Sequence, residues 1–103
     1  MSSRITFAQV ELIAAANARK LWRHSDGHDY TAGTHGHRQV DRRVATAHRR
    51  GLLVRGQDQA GGWLWEPTAT GRQEALDHLA TLADMVRWLR ADLGFDPDEE
   101  DHR

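Results

Sequence analysis

A chain of 103 residues without a cysteine has room for one domain with a modest core, and it excludes both a disulfide framework and a cysteine-ligated zinc site. A formal net charge of −1 would argue against a nucleic-acid partner if it were evenly spread. It is not: residues 1–55 hold ten basic and four acidic side chains, and residues 56–103 hold four basic and eleven acidic ones, so the two halves oppose each other.

The first helix is expected to open at Thr6, because Thr6-x-x-Gln9 is a capping box in which each side chain satisfies the other's backbone N–H. Its apolar face reads Phe7, Val10, Ile13, Ala14 and Leu21, with Asn17 as the polar intruder. Leu12 and Ala16 fall on another side, to be exposed or covered by something outside the minimal domain. From Leu21 to Gly36 the helical period stops. Ser25-Asp26-Gly27 supplies turn chemistry between Leu21–His24 and His28–Thr31, which predicts a short β-hairpin. The rival is a loop followed by a very short helix around Tyr30–Thr34.

From about His37 to Arg50 the period is helical again, with Val40, Val44 and Ala47 on one face and Gly51 placed to end the helix. Leu52–Arg55 reads as a strand, Gln57–Gly62 as a polar turn, and Trp63–Glu66 as a second strand closed by Pro67. Thr68 is a cap for a last helix that runs to about Leu93, where Gly94 and Pro97 forbid continuation. Asp96–Arg103 is an acidic tail with almost no apolar content, expected to be disordered.

Function concentrates in the arginines. Between His35 and Arg55, six guanidiniums (Arg38, Arg42, Arg43, Arg49, Arg50, Arg55) stand against one acid, Asp41. With Val40, Val44 and Ala47 inward, a helix at about 100° per residue puts Arg38, Arg42, Ala45, Thr46 and Arg49 outward. Small residues between guanidiniums suit close approach to a groove wall, and arginines reach phosphates or guanine edges. Gln39, Arg43 and Arg50 flank that stripe, and Arg55 and Gln57 stand at the base of the polar turn, so all are candidate DNA contacts. Trp63 and Trp65 are expected to cover the hairpin's core side. His24, His28, His35 and His37 cluster without a cysteine or a helical His-x-x-x-His pair, so no metal is expected. No nucleophile stands beside a base, and no phosphate loop of known spacing occurs, so neither catalysis nor a cofactor is expected.

Ala75, Leu79, Leu82, Val86, Leu89 and Leu93 repeat at four and three residues, the seam of a coiled coil. Leu76 and Ala83 widen it toward the domain's own core. Some 25 helical residues span about 37 Å, more than so small a domain covers, so Leu79, Leu82, Val86, Leu89 and Leu93 are expected to pair two copies.

The run Val40-Asp41-Arg42-Arg43-Val44-Ala45-Thr46-Ala47-His48-Arg49-Arg50-Gly51-Leu52-Leu53-Val54, continued by Trp65-Glu66-Pro67-Thr68-Ala69-Thr70-Gly71-Arg72, resembles winged helix-turn-helix bacterial regulators in the general pattern of the MarR and PadR families, over roughly residues 36–76. The resemblance implies an α+β, mainly α fold: a winged helix-turn-helix domain with a two-stranded wing and a long C-terminal dimerisation helix. The divisions are 1–67 for the DNA-binding region, 68–94 for the last helix within the same domain, and 95–103 for the tail. The expected function is sequence-specific binding of double-stranded DNA by a homodimer that regulates transcription or a mobile element. The alternative is a winged-helix protein-interaction module or antirepressor-like adaptor without DNA specificity. No apolar run reaches the roughly 20 residues of a membrane span, and Met1-Ser2-Ser3-Arg4 leads into no signal-peptide apolar region. A cytoplasmic, nucleoid-associated location is therefore expected.

Overall fold

The Thr6 hydroxyl accepts from the Gln9 amide at 3.2 Å and the Gln9 side chain accepts from the Thr6 amide at 3.1 Å, and this box starts α1 (Phe7–Asn17) as its spacing predicts. The computed structural model describes residues 5–33 and 36–94; the acidic tail and His35 lie outside them. After α1 come β1 (Leu21–Arg23), β2 (Asp29–Gly33), β3 (Gly36–Gln39), α2 (Asp41–Arg49), β4 (Leu53–Gln59), β5 (Gly62–Pro67) and α3 (Ala69–Asp92).

The expected hairpin is present. β1 and β2 pair antiparallel with Leu21 opposite Thr31 and Arg23 opposite Asp29, and Gly27 takes the turn at φ 86°, a conformation that costs glycine little. The next segment departs from expectation. The helical period places His37, Arg38 and Gln39 in the arginine helix, yet Gly36–Gln39 forms an edge strand paired to β2, and α2 begins only at Asp41. β1 also pairs with β5, so both hairpins join in one five-stranded antiparallel sheet, ordered β3-β2-β1-β5-β4.

That sheet overturns the expected winged helix-turn-helix with a two-stranded wing. Three helices accompany a sheet of five strands, and no helix lies between α1 and the arginine helix among the described residues. The physical reason is the stretch 21–39, whose turn residues and β-branched or aromatic side chains favour extended pairing over a second helix. Gly62 records the junction: a Cβ there would run into the Arg23 carbonyl oxygen, so only glycine lets β5 approach β1 this closely.

The core gathers Val10, Leu12, Ile13 and Ala16 of α1, Val44 and Ala47 of α2, and Leu21, Leu53 and Trp65 of the sheet, with Val40 and Leu52 beside them. α1 is buried differently from its expected face. Phe7 is 54% exposed and Ala14 is exposed, whereas Leu12 and Ala16 are buried by the protein's own chain. The helix touches β1, β2, β5, α2 and α3, so it buries two sides and not one stripe.

Thr68 caps α3, accepting from the Gly71 amide at 2.8 Å while donating to the Gly51 carbonyl at 2.6 Å. Gly71 sits where a Cβ would meet the Leu52 carbonyl, which lets the first turn of α3 press on the bend that precedes β4. Only Gly71 and Ala75 of α3 are buried, and Leu82 is half-buried. Beyond it Met85, Val86, Leu89 and Leu93 are 52 to 78% exposed. The molecule measures 53 × 34 × 19 Å with a radius of gyration of 16.9 Å, against about 13 Å for a compact chain of this length. Past Leu82 every residue of α3 is exposed.

Candidate nucleic-acid interface

Val40, Val44 and Ala47 are 5, 1 and 0% exposed, so α2 turns its arginines outward as the period requires. Arg42, Arg43, Ala45, Arg49 and Arg50 are exposed, and Thr46 is half-buried. Arg38 and Gln39 reach the same region from β3, where every residue is exposed. Arg38, Gln39, Arg42 and Arg43 line one shallow depression, with Val40 and Asp41 between them. Arg49 lies about two turns beyond Arg42 on α2 and donates to the Thr46 hydroxyl at 3.4 Å.

The remaining candidates stand apart. Arg50 donates to the Gln9 side chain at 2.9 Å and so ties the end of α2 to the start of α1. Arg55 pairs with Asp58 at 2.9 Å and lies 4.2 Å over the Trp63 ring, which spends its charge locally. Gln57 lines a separate depression with Arg19, Glu66 and Arg72. No ion pair joins Arg38, Arg42, Arg43, Arg49 or Arg50 to an acid among the described residues.

Asp41, the one acid of the segment, is occupied. One carboxylate oxygen accepts from the Asp29 amide at 2.6 Å, and the other meets His28 Nδ1 at 2.7 Å and the Gln39 amide at 2.8 Å. The backbone N–H of Asp29 first, and His28 next, pull the Asp41 pKa down to about 2, because each bond favours the charged form. The same contact raises the pKa of His28. Asp41 also stands in the first turn of α2, where a negative charge complements the helix dipole. This carboxylate therefore fastens β2 and β3 to α2 and subtracts little from the arginine face.

Sequence reasoning missed this hub, and it missed a second feature. Trp22, Tyr30 and His37 stand on three adjacent strands with their rings in contact. The predicted hairpin already made Trp22 and Tyr30 cross-strand neighbours, so the signal was present. Trp63 and Trp65 do cover the core side as expected, Trp65 at 4% exposure and Trp63 packed against it. Of the clustered histidines, His24 leans on Tyr30, His28 binds Asp41 and His37 abuts Trp22. Among the described residues no three His, Cys, Asp or Glu side chains are placed to hold a metal, and no helix is long and apolar enough to cross a membrane.

None of the family models, curated proteins or solved structures compared with the chain matches it.

Proposed function

We propose that the protein binds double-stranded DNA through the outward side of α2 and the adjoining β3, and that it does so as a homodimer regulating transcription or a mobile element. The observation that carries this reading is the composition of that surface. Arg38, Arg42, Arg43 and Arg49 are exposed without ion pairs among the described residues. Asp41 is engaged by Asp29, His28 and Gln39, and Glu11 of α1, which lines a depression with Arg38 and Arg43, pairs with neither among the described residues. Ordinary protein surfaces intersperse both signs; this one presents phosphate-binding groups around a small-residue helix face. A cytoplasmic, nucleoid-associated location follows from that partner.

The second copy is the occupant proposed for α3. At about 100° per residue, Val86, Leu89 and Leu93 lie within about 40° of Leu82, so the stripe that packs on the body continues unchanged past it. A spacing of four and three residues matches the period of paired helices, and a two-fold pair presents the same stripe from both sides. Two α2 helices related in this way read half-sites about 34 Å apart on one side of a duplex.

The test is fluorescence anisotropy on duplex genomic fragments across a salt series, with Arg42→Ala and Arg49→Ala beside the wild type. Each lost phosphate contact should lower the salt slope by about one unit, and each lost bidentate base contact should cost roughly 1 to 3 kcal/mol. Wild-type affinity in both variants would retire this assignment.

A further inference from the structure

We infer that the outward face of β1, β2 and β3 is a stacking platform for the unpaired bases of a single-stranded nucleic acid. This is a second binding surface and does not rest on the duplex reading. Leu21 is fully buried in the core, and strand alternation sends Trp22 to the other side. Trp22 is opposite Tyr30 across the β1–β2 ladder. Their rings stack with centroids 6.2 Å apart and planes at 29°. The His37 ring meets Trp22 edge-on at 4.9 Å, and His24 meets Tyr30 edge-on at 6.0 Å. The rings thus run across three strands and hold one another in place.

Several features favour a nucleic-acid strand over bare solvent. Outward positions of a half-solvated antiparallel sheet are normally polar, yet Trp22 and Tyr30 are only half-buried and His24 and His37 are exposed. Among the described residues no acid stands at an outward position of the three strands. Lys20, two residues before Trp22 and exposed, falls on the same side by alternation and supplies a cation for the phosphate backbone. The nearest acid, Asp26, is engaged by the Tyr30 hydroxyl at 2.6 Å and the His28 amide at 2.8 Å, with His24 Nδ1 at 3.6 Å. Aromatic rings beside a cation bind successive bases without demanding sequence, since every base has a π-face. A duplex hides those faces, so the ligand is single-stranded.

The experiment titrates the full chain with a twelve-nucleotide oligothymidylate, the matching oligouridylate and an abasic strand of equal length at low salt. Variants Trp22→Leu, Tyr30→Ala and the edge-strand variant His37→Ala are compared, with urea midpoints recorded for each. The wild type should bind both base-bearing strands at least tenfold more tightly than the abasic one, and each folded ring variant should lose about tenfold. Relative preference for oligouridylate or oligothymidylate tells RNA from DNA as the source of the bases. His37→Ala lies on an exposed edge and keeps the test open if Trp22→Leu unfolds. Equal binding of the abasic strand, or unchanged binding by folded ring variants, overturns the platform. So does loss of oligonucleotide binding in Arg42→Ala with Arg49→Ala alone, which assigns it to phosphate attraction at α2.

Discussion

The carboxylate of Asp29, on a residue 1% exposed, is held at two points by the guanidinium of Arg23, Nε to Oδ1 at 2.8 Å and an Nη to Oδ2 at 2.9 Å. The indole N–H of Trp65 donates to the same Oδ1 at 2.7 Å, and the Arg23 guanidinium lies 5.2 Å and 5.8 Å from the Trp63 and Trp65 ring centres. One buried charge thereby joins β1, β2 and β5, the three central strands of the sheet.

Removing one partner of a buried pair strands the other. Asp29→Ala should destabilise the fold by about 3 kcal/mol, near the lower end for broken buried pairs because the Arg23 side chain keeps 31% exposure. Asp29→Asn keeps an acceptor for Trp65 and should cost less. Urea unfolding followed by tryptophan fluorescence checks both. Equal stability of wild type and Asp29→Ala would deny this pair any role in joining the hairpins.

A pH dependence arises from the His28–Asp41 contact. The carboxylate of Asp41 raises the pKa of His28 above its ordinary 6.5, so its contribution is fully present below about pH 6.5 and fades as pH rises through the higher folded value. Asp41 is shifted the opposite way, from 3.8 to about 2, so its contribution is full above 3.8 and lost as pH falls toward 2. The tether is strongest between the two. His28→Gln should therefore lower the urea midpoint at about pH 5.5 and lower it less at about pH 8.5. A difference independent of pH would remove the imidazolium from the account.

Local chemistry makes much of the chain legible in its residues. Thr6 and Thr68 cap helices through bonds to neighbours three residues away, and Ser25-Asp26-Gly27 turns a hairpin through Gly27. β3 is hidden because Gly36, His37, Arg38 and Gln39 are all exposed, so no apolar alternation marks them. Their extended state comes from pairing with β2, Tyr30 to Gln39 and Ala32 to His37. The merging of two hairpins into one sheet is equally non-local, and Gly62 against Arg23 is its one trace. The arginines are visible as a group, but sequence spacing cannot tell the exposed Arg42 from Arg50, which binds Gln9, or Arg55, which binds Asp58.

The same distinction decides how to test α3. Ala75 is buried in the core and Leu82 is half-buried, so charge at Leu82 mixes an effect on the monomer with one on pairing. Val86 and Leu89, 52 and 53% exposed, lie past the body on the same stripe. Val86→Asp combined with Leu89→Asp should leave the urea midpoint of the monomer unit nearly unchanged, since neither side chain is in the core. In a paired helix both positions lose water, and a buried unpaired carboxylate opposes association strongly. Light scattering should accordingly give twice the chain mass for the wild type at micromolar concentration and the single-chain mass for the double variant. Duplex binding should weaken in parallel, because one α2 contacts only a few base pairs and a symmetric pair doubles that contact. A wild type that is monomeric at micromolar concentration, or a double variant that stays dimeric, removes α3 as the dimer seam.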